Sequence, residues 1–180
     1  DERGLTSALN HGIANARGEI LVWMDCDLQM PTTLISELIF KVENGYDAAI
    51  GSRFIKGGGD IRHLNKSNRK IITKIHRHLS KLICKLTSIV LNTDFSDWTS
   101  GFIAIRKDIF NSFNLIGDHG EYFMYLAHHL IKSDYRVLEV PYVLKPRVRG
   151  KSKTAEGYFS MIIMGIRYLF ALVKLKLFNK

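Results

Sequence analysis

The sequence is poor in the residues that mark several large protein classes. Cys26 and Cys84 are its only cysteines. Two thiols cannot hold a disulfide-rich scaffold, and their spacing is not that of a zinc site, so a reducing compartment is the simpler reading. Proline is scarce, with three residues in 180. No low-complexity tract is present, which argues against disorder. Acids are missing between Ile61 and Thr93, where Arg62, Lys66, Arg69, Lys70, Lys74, Arg77, Lys81 and Lys85 stand. The most apolar stretch, Tyr158 to Val173, is short for a membrane span and carries Arg167.

What is present describes one ordinary domain with a real core, at 46% hydrophobic and 24% charged residues. The net charge is +9. A second basic run, Lys145, Arg147, Arg149, Lys151 and Lys153, adds to the first. Such runs suit phosphates on a small substrate, an anionic lipid or a nucleic acid. Aromatic residues are not interleaved with the charges, which weakens a single-strand nucleic-acid reading, and no nucleic-acid partner is expected.

Periodicity gives the order of elements. Leu5, Ala8, Leu9, Gly12, Ile13 and Ala16 recur at helical spacing, and Gly18 suits a stop. Residues 19–25 read as a buried strand. Pro31 and Thr32 open a helix running to about Glu43, which Asn44-Gly45 ends. Asp47 to Gly51 reads as a second strand, and Gly57-Gly58-Gly59 as a mobile loop. A long helix is expected over 65–91, its apolar stripe running from Ile71 to Val90 beside a basic face. A strand at 101–105, short helix at 107–113, helix at 121–133, edge strand around Pro141 and final helix at 155–177 follow. The alternation predicts an α/β fold with a mainly parallel sheet and helical crossovers.

Asp25-Cys26-Asp27 closes the apolar run Ile20 to Met24. Two carboxylates at the carboxyl end of a strand lie where open α/β sheets bind ligands. Hard divalent cations prefer such oxygens and in turn hold diphosphates. An Asp-x-Asp pair alone is a weak signal, and its neighbours carry more. Asp25-Cys26-Asp27-Leu28-Gln29-Met30-Pro31 resembles the Asp-x-Asp-Leu-Gln-x-Pro segment of the polyprenol-phosphate sugar transferases, such as the dolichyl-phosphate mannose synthases. These belong to the inverting glycosyltransferase family 2. Gly4 to Glu19 resembles the helix before that motif. Gly51-Ser52-Arg53, Asp97-Trp98-Thr99-Ser100-Gly101-Phe102, Glu139-Val140-Pro141 and Arg147 to Lys153 are similar to further segments, in the family's order.

The resemblance implies a GT-A-like, Rossmann-related fold with long amphipathic interfacial helices. Residues 1–154 would form a partial catalytic domain, and 155–180 an apolar, basic helix at the membrane interface or at the start of an anchor. The family's opening strands, which hold the nucleotide base, have no counterpart in this sequence. The implied activity is metal-dependent transfer of a mannose- or glucose-type sugar from a nucleoside-diphosphate sugar to a polyprenyl phosphate. It would take place at the cytoplasmic face of a membrane with an anionic surface.

Site roles follow by the same resemblance. Asp27 and Gln29 would bind Mg²⁺ or Mn²⁺, with Asp25 nearer the sugar. Arg53, Arg69, Thr73, Arg147, Ser152 and Lys153 would hold the donor and acceptor phosphates. Asp97 could orient the sugar or cap a turn, and Glu121, opening a helix, could serve as a catalytic acid or as a helix-dipole partner. Trp98 could contact lipid or pack in the core. Two other readings remain at this level. A haloacid-dehalogenase-type phosphatase also places Asp-x-Asp after a strand, but expects threonine or valine where Gln29 stands. A non-catalytic fragment could bind anionic membrane or nucleic acid through its basic surface.

Overall fold

The computed structural model describes residues 4–64, 70–147 and 158–177. Strands β1 (Ile20–Trp23), β2 (Ala48–Ser52), β4 (Ile103–Arg106) and β5 (Val137–Pro141) form a sheet in the order β1-β4-β2-β5. Strand β2 runs parallel to β5, while β4 is antiparallel to both β1 and β2. Three of the four strands therefore share one direction, as the alternation of elements predicts. The departure is β4, which enters between β1 and β2 against that direction. It arrives after the long α3 (Lys70–Leu91) and a turn, and continues the chain without a crossover. Pro141 lies at the end of β5, an edge strand, where the missing N–H breaks no ladder.

The alternation of side chains explains the layers. Ala48, Ile50, Ile103 and Ile105 face one side, where α4 (Tyr122–Lys132) brings Phe123, Leu126, Ala127 and Leu130 into the larger core. Ala49, Phe102, Ala104 and Val140 face the other, against Leu34, Leu38 and Val42 of α2 (Leu34–Glu43). Helix α1 (Leu5–Asn15) is fastened by Asn10, whose amide donates to the Leu115 carbonyl at 2.9 Å and accepts the Leu115 N–H at 3.1 Å.

Two elements depart from their sequence patterns. Gly57 to Gly59 form a hydrogen-bonded bend rather than an open loop. The Gly58 N–H donates to Ile55, and Gly59 begins β3 (Gly59–Asp60), paired in parallel with β6 (Val143–Leu144). A Cβ on Gly58 would lie 2.6 Å from the Ser52 carbonyl oxygen and 2.8 Å from the Arg53 carbonyl carbon, so the bend accepts only glycine there.

Helix α3 departs further. Ile71, Leu79, Leu82, Leu86 and Ile89 of its apolar stripe are exposed, while Cys84 and Thr87 are buried and His76 and Ser80 are half-buried. A polar seam faces inward, and apolar side chains mixed with Lys74, Lys81 and Lys85 face outward. Trp98 is fully buried, packed edge-on against Phe95 and donating its N–H to Ser88 and the Phe95 carbonyl, so it has a packing role. Helix α5 (Tyr158–Leu177) packs on α3 and α4 through Met161, Ala171, Leu172 and Leu175. Ile162, Ile166, Leu169, Phe170 and Val173 stay exposed.

Candidate active site

The carboxyl ends of β1 and β2 open onto one edge of the sheet. Residues 25–29 leave β1 in a tight turn, in which Leu28 takes a left-handed φ of 59° and points outward. The Asp27 Oδ1 accepts the Gln29 N–H at 3.0 Å, so the carboxylate fixes the turn that presents it. Its other oxygen accepts Arg147 Nη2 at 2.6 Å, across 120 residues of chain. Gln29 reaches the same segment. Its side-chain amide donates to the Lys145 carbonyl at 3.0 Å, and the Lys145 N–H returns a bond to the Gln29 carbonyl at 2.9 Å.

Asp25 is open to solvent above and crowded by protein below. That partial desolvation, with the Asp27 charge behind it, raises its carboxyl above the ordinary carboxylate range; Arg147, Arg53 and Arg62 work against the rise. The donors at this corner are two carboxylates and an amide, all hard oxygens. They fit a divalent cation of the Mg²⁺ or Mn²⁺ kind, and the Arg147 guanidinium already sets positive charge against Asp27.

Beneath lies a buried ion pair. Arg53 donates from Nε and Nη2 to both oxygens of Asp97 at 2.8 and 2.6 Å, and its backbone N–H adds a third bond at 2.9 Å. Nη2 also reaches Thr99 Oγ1 at 2.7 Å, and Thr99 meets Ser80 of α3 at 2.9 Å. Burial opposes the charge on Arg53, yet the Asp97 carboxylate outweighs it and holds the guanidinium above its ordinary value. Glu139 accepts the N–H groups of Ser96 and Asp97 at 2.8 and 3.0 Å, which aims Asp97 at Arg53. Burial raises the Glu139 carboxyl, against those bonds and one from Ser52.

The structure thus sorts the candidates. Asp25, Asp27, Gln29 and Arg147 converge on one corner. Arg53 is committed to Asp97 rather than presented alone, and Asp97 is a buried partner rather than an open sugar ligand. Glu121 stands at the head of α4 without a side-chain capping bond, accepts the Asp118 N–H at 3.2 Å and lies 3.7 Å from Arg167 of α5. Its Oε2 is buried with no hydrogen-bond partner among the described residues. Thr73 lies on the first turn of α3. Arg69, Ser152 and Lys153 lie outside the described residues. Sequence reasoning counted Arg62 only as one member of the basic run and missed His76. The signal for His76 was a polar seam inside an apolar helix pattern, His76, Ser80 and Cys84 at four-residue spacing.

The sequence profile of glycosyl transferase family 2 matches residues 1–113. The chain belongs to that family. The match sets aside the phosphatase reading of Asp-x-Asp and agrees with the GT-A-like fold. Over 180 residues the chain is 36% identical to the dolichol-phosphate mannosyltransferase of Pyrococcus furiosus, covering 96% of this chain and 46% of that protein. It is 30% identical over 156 residues to the polyprenol monophosphomannose synthase of Mycolicibacterium smegmatis, covering 82% of this chain and 56% of that protein. The chain thus spans about half the length of these family 2 relatives. Among solved structures it resembles the glucosyl-3-phosphoglycerate synthase of Mycobacterium tuberculosis in complex with Mn²⁺, uridine-diphosphate and phosphoglyceric acid. The TM-score is 0.66 at 14% identity, over 96% of this chain and 54% of that one. At that identity the likeness speaks for the fold alone.

Two outcomes test this geometry. Asp97→Asn leaves the Arg53 charge buried beside a neutral amide, and the loss of stability in urea unfolding is expected at about 3–5 kcal/mol. A loss under about 1 kcal/mol would show that the pair holds nothing together. The second concerns His76. Burial first, then the Arg62 and Arg53 charges, push its imidazole down to about 4 from an ordinary 6.5; Asp60 pulls the other way. The unfolded chain therefore binds the proton first. The stability held by neutral His76 is complete above about pH 6.5 and drains away as pH falls toward about 4. His76→Gln should flatten the fall in melting temperature over that window; parallel curves for the two proteins would contradict the burial of the neutral ring.

Proposed function

We propose that this chain is part of an inverting glycosyltransferase that moves a mannose- or glucose-type sugar from a nucleoside-diphosphate sugar to a polyprenyl phosphate. The observation that carries this reading is the Asp27–Arg147 contact, which joins the acidic motif to the second basic run. One corner thereby offers ligands for a cation and a guanidinium for a phosphate. The names of the aligned relatives support the substrate class.

Asp27 and Gln29, with Asp25 beside them, would hold a divalent cation, which would supply Lewis-acid relief of charge on a departing diphosphate. Among the described residues no three His, Cys, Asp or Glu side chains are gathered for a metal. The residues that would hold such an ion are therefore the two carboxylates and the Gln29 amide oxygen. The protein's own residues position anions. A lipid phosphate carries its nucleophilic oxygen already charged at neutral pH, so attack needs alignment more than a strong base. Arg147 is placed to align it, because a guanidinium fork matches phosphate oxygens in pairs. By the motif resemblance, Arg69, Thr73, Ser152 and Lys153 would add further phosphate contacts. Arg53 supports the site from below through Asp97, and Glu121 offers a carboxylate at the head of α4.

The outward faces of α3 and α5 support a membrane partner. Apolar side chains alternate there with lysines, the composition of a helix lying among anionic headgroups. Among the described residues no helix is long and apolar enough to cross a bilayer. We place the site at the cytoplasmic face, where nucleotide sugars and anionic lipid meet.

In the complete protein, Asp27→Ala should lower Mn²⁺-dependent sugar transfer to a lipid phosphate by about a hundredfold or more. A radiolabelled-sugar assay measures it, and turnover equal to wild type would remove Asp27 from the chemistry. Flotation with anionic vesicles at low salt tests the membrane contact. Binding should weaken as salt rises, and failure to float at low salt would overturn the interfacial assignment.

A further inference from the structure

Arg62 is the cation at this edge that neither the motif resemblance nor the relatives single out. It opens the short 3-10 helix Arg62–Leu64, directly after β3. Its backbone position is set from two sides. Asp60 pairs with Leu144 in the β3–β6 ladder, and the Ile61 N–H donates to the Leu144 carbonyl at 2.9 Å. The next residue, Lys145, is the one bonded to Gln29. Three backbone segments, 27–29, 144–147 and 60–62, therefore lie side by side, and Arg62 belongs to the same corner as Asp27 and Arg147.

Its side chain is held in one pose. Arg62 Nε donates to both oxygens of Asp60 at 3.0 and 3.1 Å, and Nη2 donates to Asp60 Oδ2 at 2.6 Å. Nη2 also lies 3.4 Å from His76 Nδ1 on α3. Asp60 is nearly sealed, with 2% of its side chain exposed, whereas Arg62 keeps 19% open. A buried carboxylate and a neutral imidazole thus grip Nε and Nη2, while Nη1 carries two further N–H groups. A guanidinium fixed in this way has little rotamer entropy left to lose on binding an anion. Its surroundings are amphiphilic. Leu64, two residues on, and Ile71, at the start of α3, are both exposed, while Thr73 stands three residues before His76, one turn away on the same side of the helix.

We propose that Arg62, braced by Asp60 and His76, is a further phosphate-binding residue of this site, and that it takes the monophosphate of the lipid acceptor. The proposal rests on the glycosyltransferase reading above and deepens it. Arg53 is sealed with Asp97 at 7% exposure, whereas Arg62 keeps 19% and Arg147 27% of the side chain open, so these two are the accessible guanidinium pair of the described residues at this edge. The apolar neighbours favour a phosphate that arrives on a hydrocarbon chain over the donor's diphosphate.

The test uses the full-length protein in detergent, a short-chain polyprenyl phosphate as acceptor and a nucleotide sugar as donor, each varied separately. Arg62→Ala should raise the acceptor KM by about 10- to 100-fold, the scale of one lost charged hydrogen-bonding partner, and leave the donor KM within about twofold. Arg62→Lys should recover part of the loss. His76→Ala keeps the cation but loosens it, and should raise the acceptor KM by about threefold to tenfold, because an unbraced side chain pays its ordering entropy on binding. An unchanged acceptor KM in Arg62→Lys and His76→Ala, both of which keep the charge and should fold, overturns the proposal even if Arg62→Ala misfolds. A rise confined to the donor KM overturns the acceptor assignment. A wild-type protein that transfers no sugar to the lipid phosphate counts against the glycosyltransferase reading instead.

Discussion

The buried pair of Arg53 and Asp97 is the constraint on which the site depends. It joins the carboxyl end of β2 to the turn that precedes β4, and both partners are removed from water. A buried ion pair adds little net stability, because desolvation offsets its attraction; breaking it is costly, because one charge is then stranded. What it supplies is definition. With both charges fixed, the end of β2 has one position, and the Gly57–Gly59 bend follows from it. Glu139 extends the same logic by holding the Asp97 backbone. An arginine with the look of a substrate ligand in sequence thus becomes the floor beneath the ligands.

Above that floor, functional groups arrive from far apart in the chain. Asp27 and Gln29 come from the first strand's exit, Arg147 from a segment just beyond β6, and Arg62 from the end of β3. Short hydrogen-bonded ladders, not packing, bring them together. The β3–β6 pair has only two residues on each side. Its backbone bonds carry the 60–62 segment toward 145, and the 145 segment toward Gln29. Helix α3 closes one side with His76 and Ser80 turned inward.

Much of this was legible in the sequence, and the illegible part has a physical cause. The helices at 34–43 and 122–132 follow their apolar periodicity because each buries one face in the core, whereas the helix at 5–15 only partly covers Leu9 and Ile13 and fully buries Thr6. Asp25, Asp27, Gln29 and Arg147 were identified from motifs, and the fold brings them to one corner. Helix α3 misled because periodicity reports that a helix has an apolar side, not what that side meets. Five of its leucines and isoleucines are exposed, and its inner side joins Cys84, Thr87 and the partly buried Ile83, Val90 and Leu91 to His76 and Ser80, which reach Arg62 and Thr99. The antiparallel entry of β4 was invisible, since an apolar run carries no arrow. The partners of Arg53 and Arg62 were likewise hidden: each guanidinium is held by a carboxylate, 44 residues away for one and two residues away for the other.

The insertion of β4 has a spatial consequence. Strands β1 and β2 point the same way but are not neighbours. Two inter-strand spacings, about 9–10 Å in all, separate them. The acidic turn leaves one and the Gly-Ser-Arg segment leaves the other, so the chain entering β4 runs between the two exits, and the Ser100 hydroxyl anchors it there by donating to the Gly51 carbonyl.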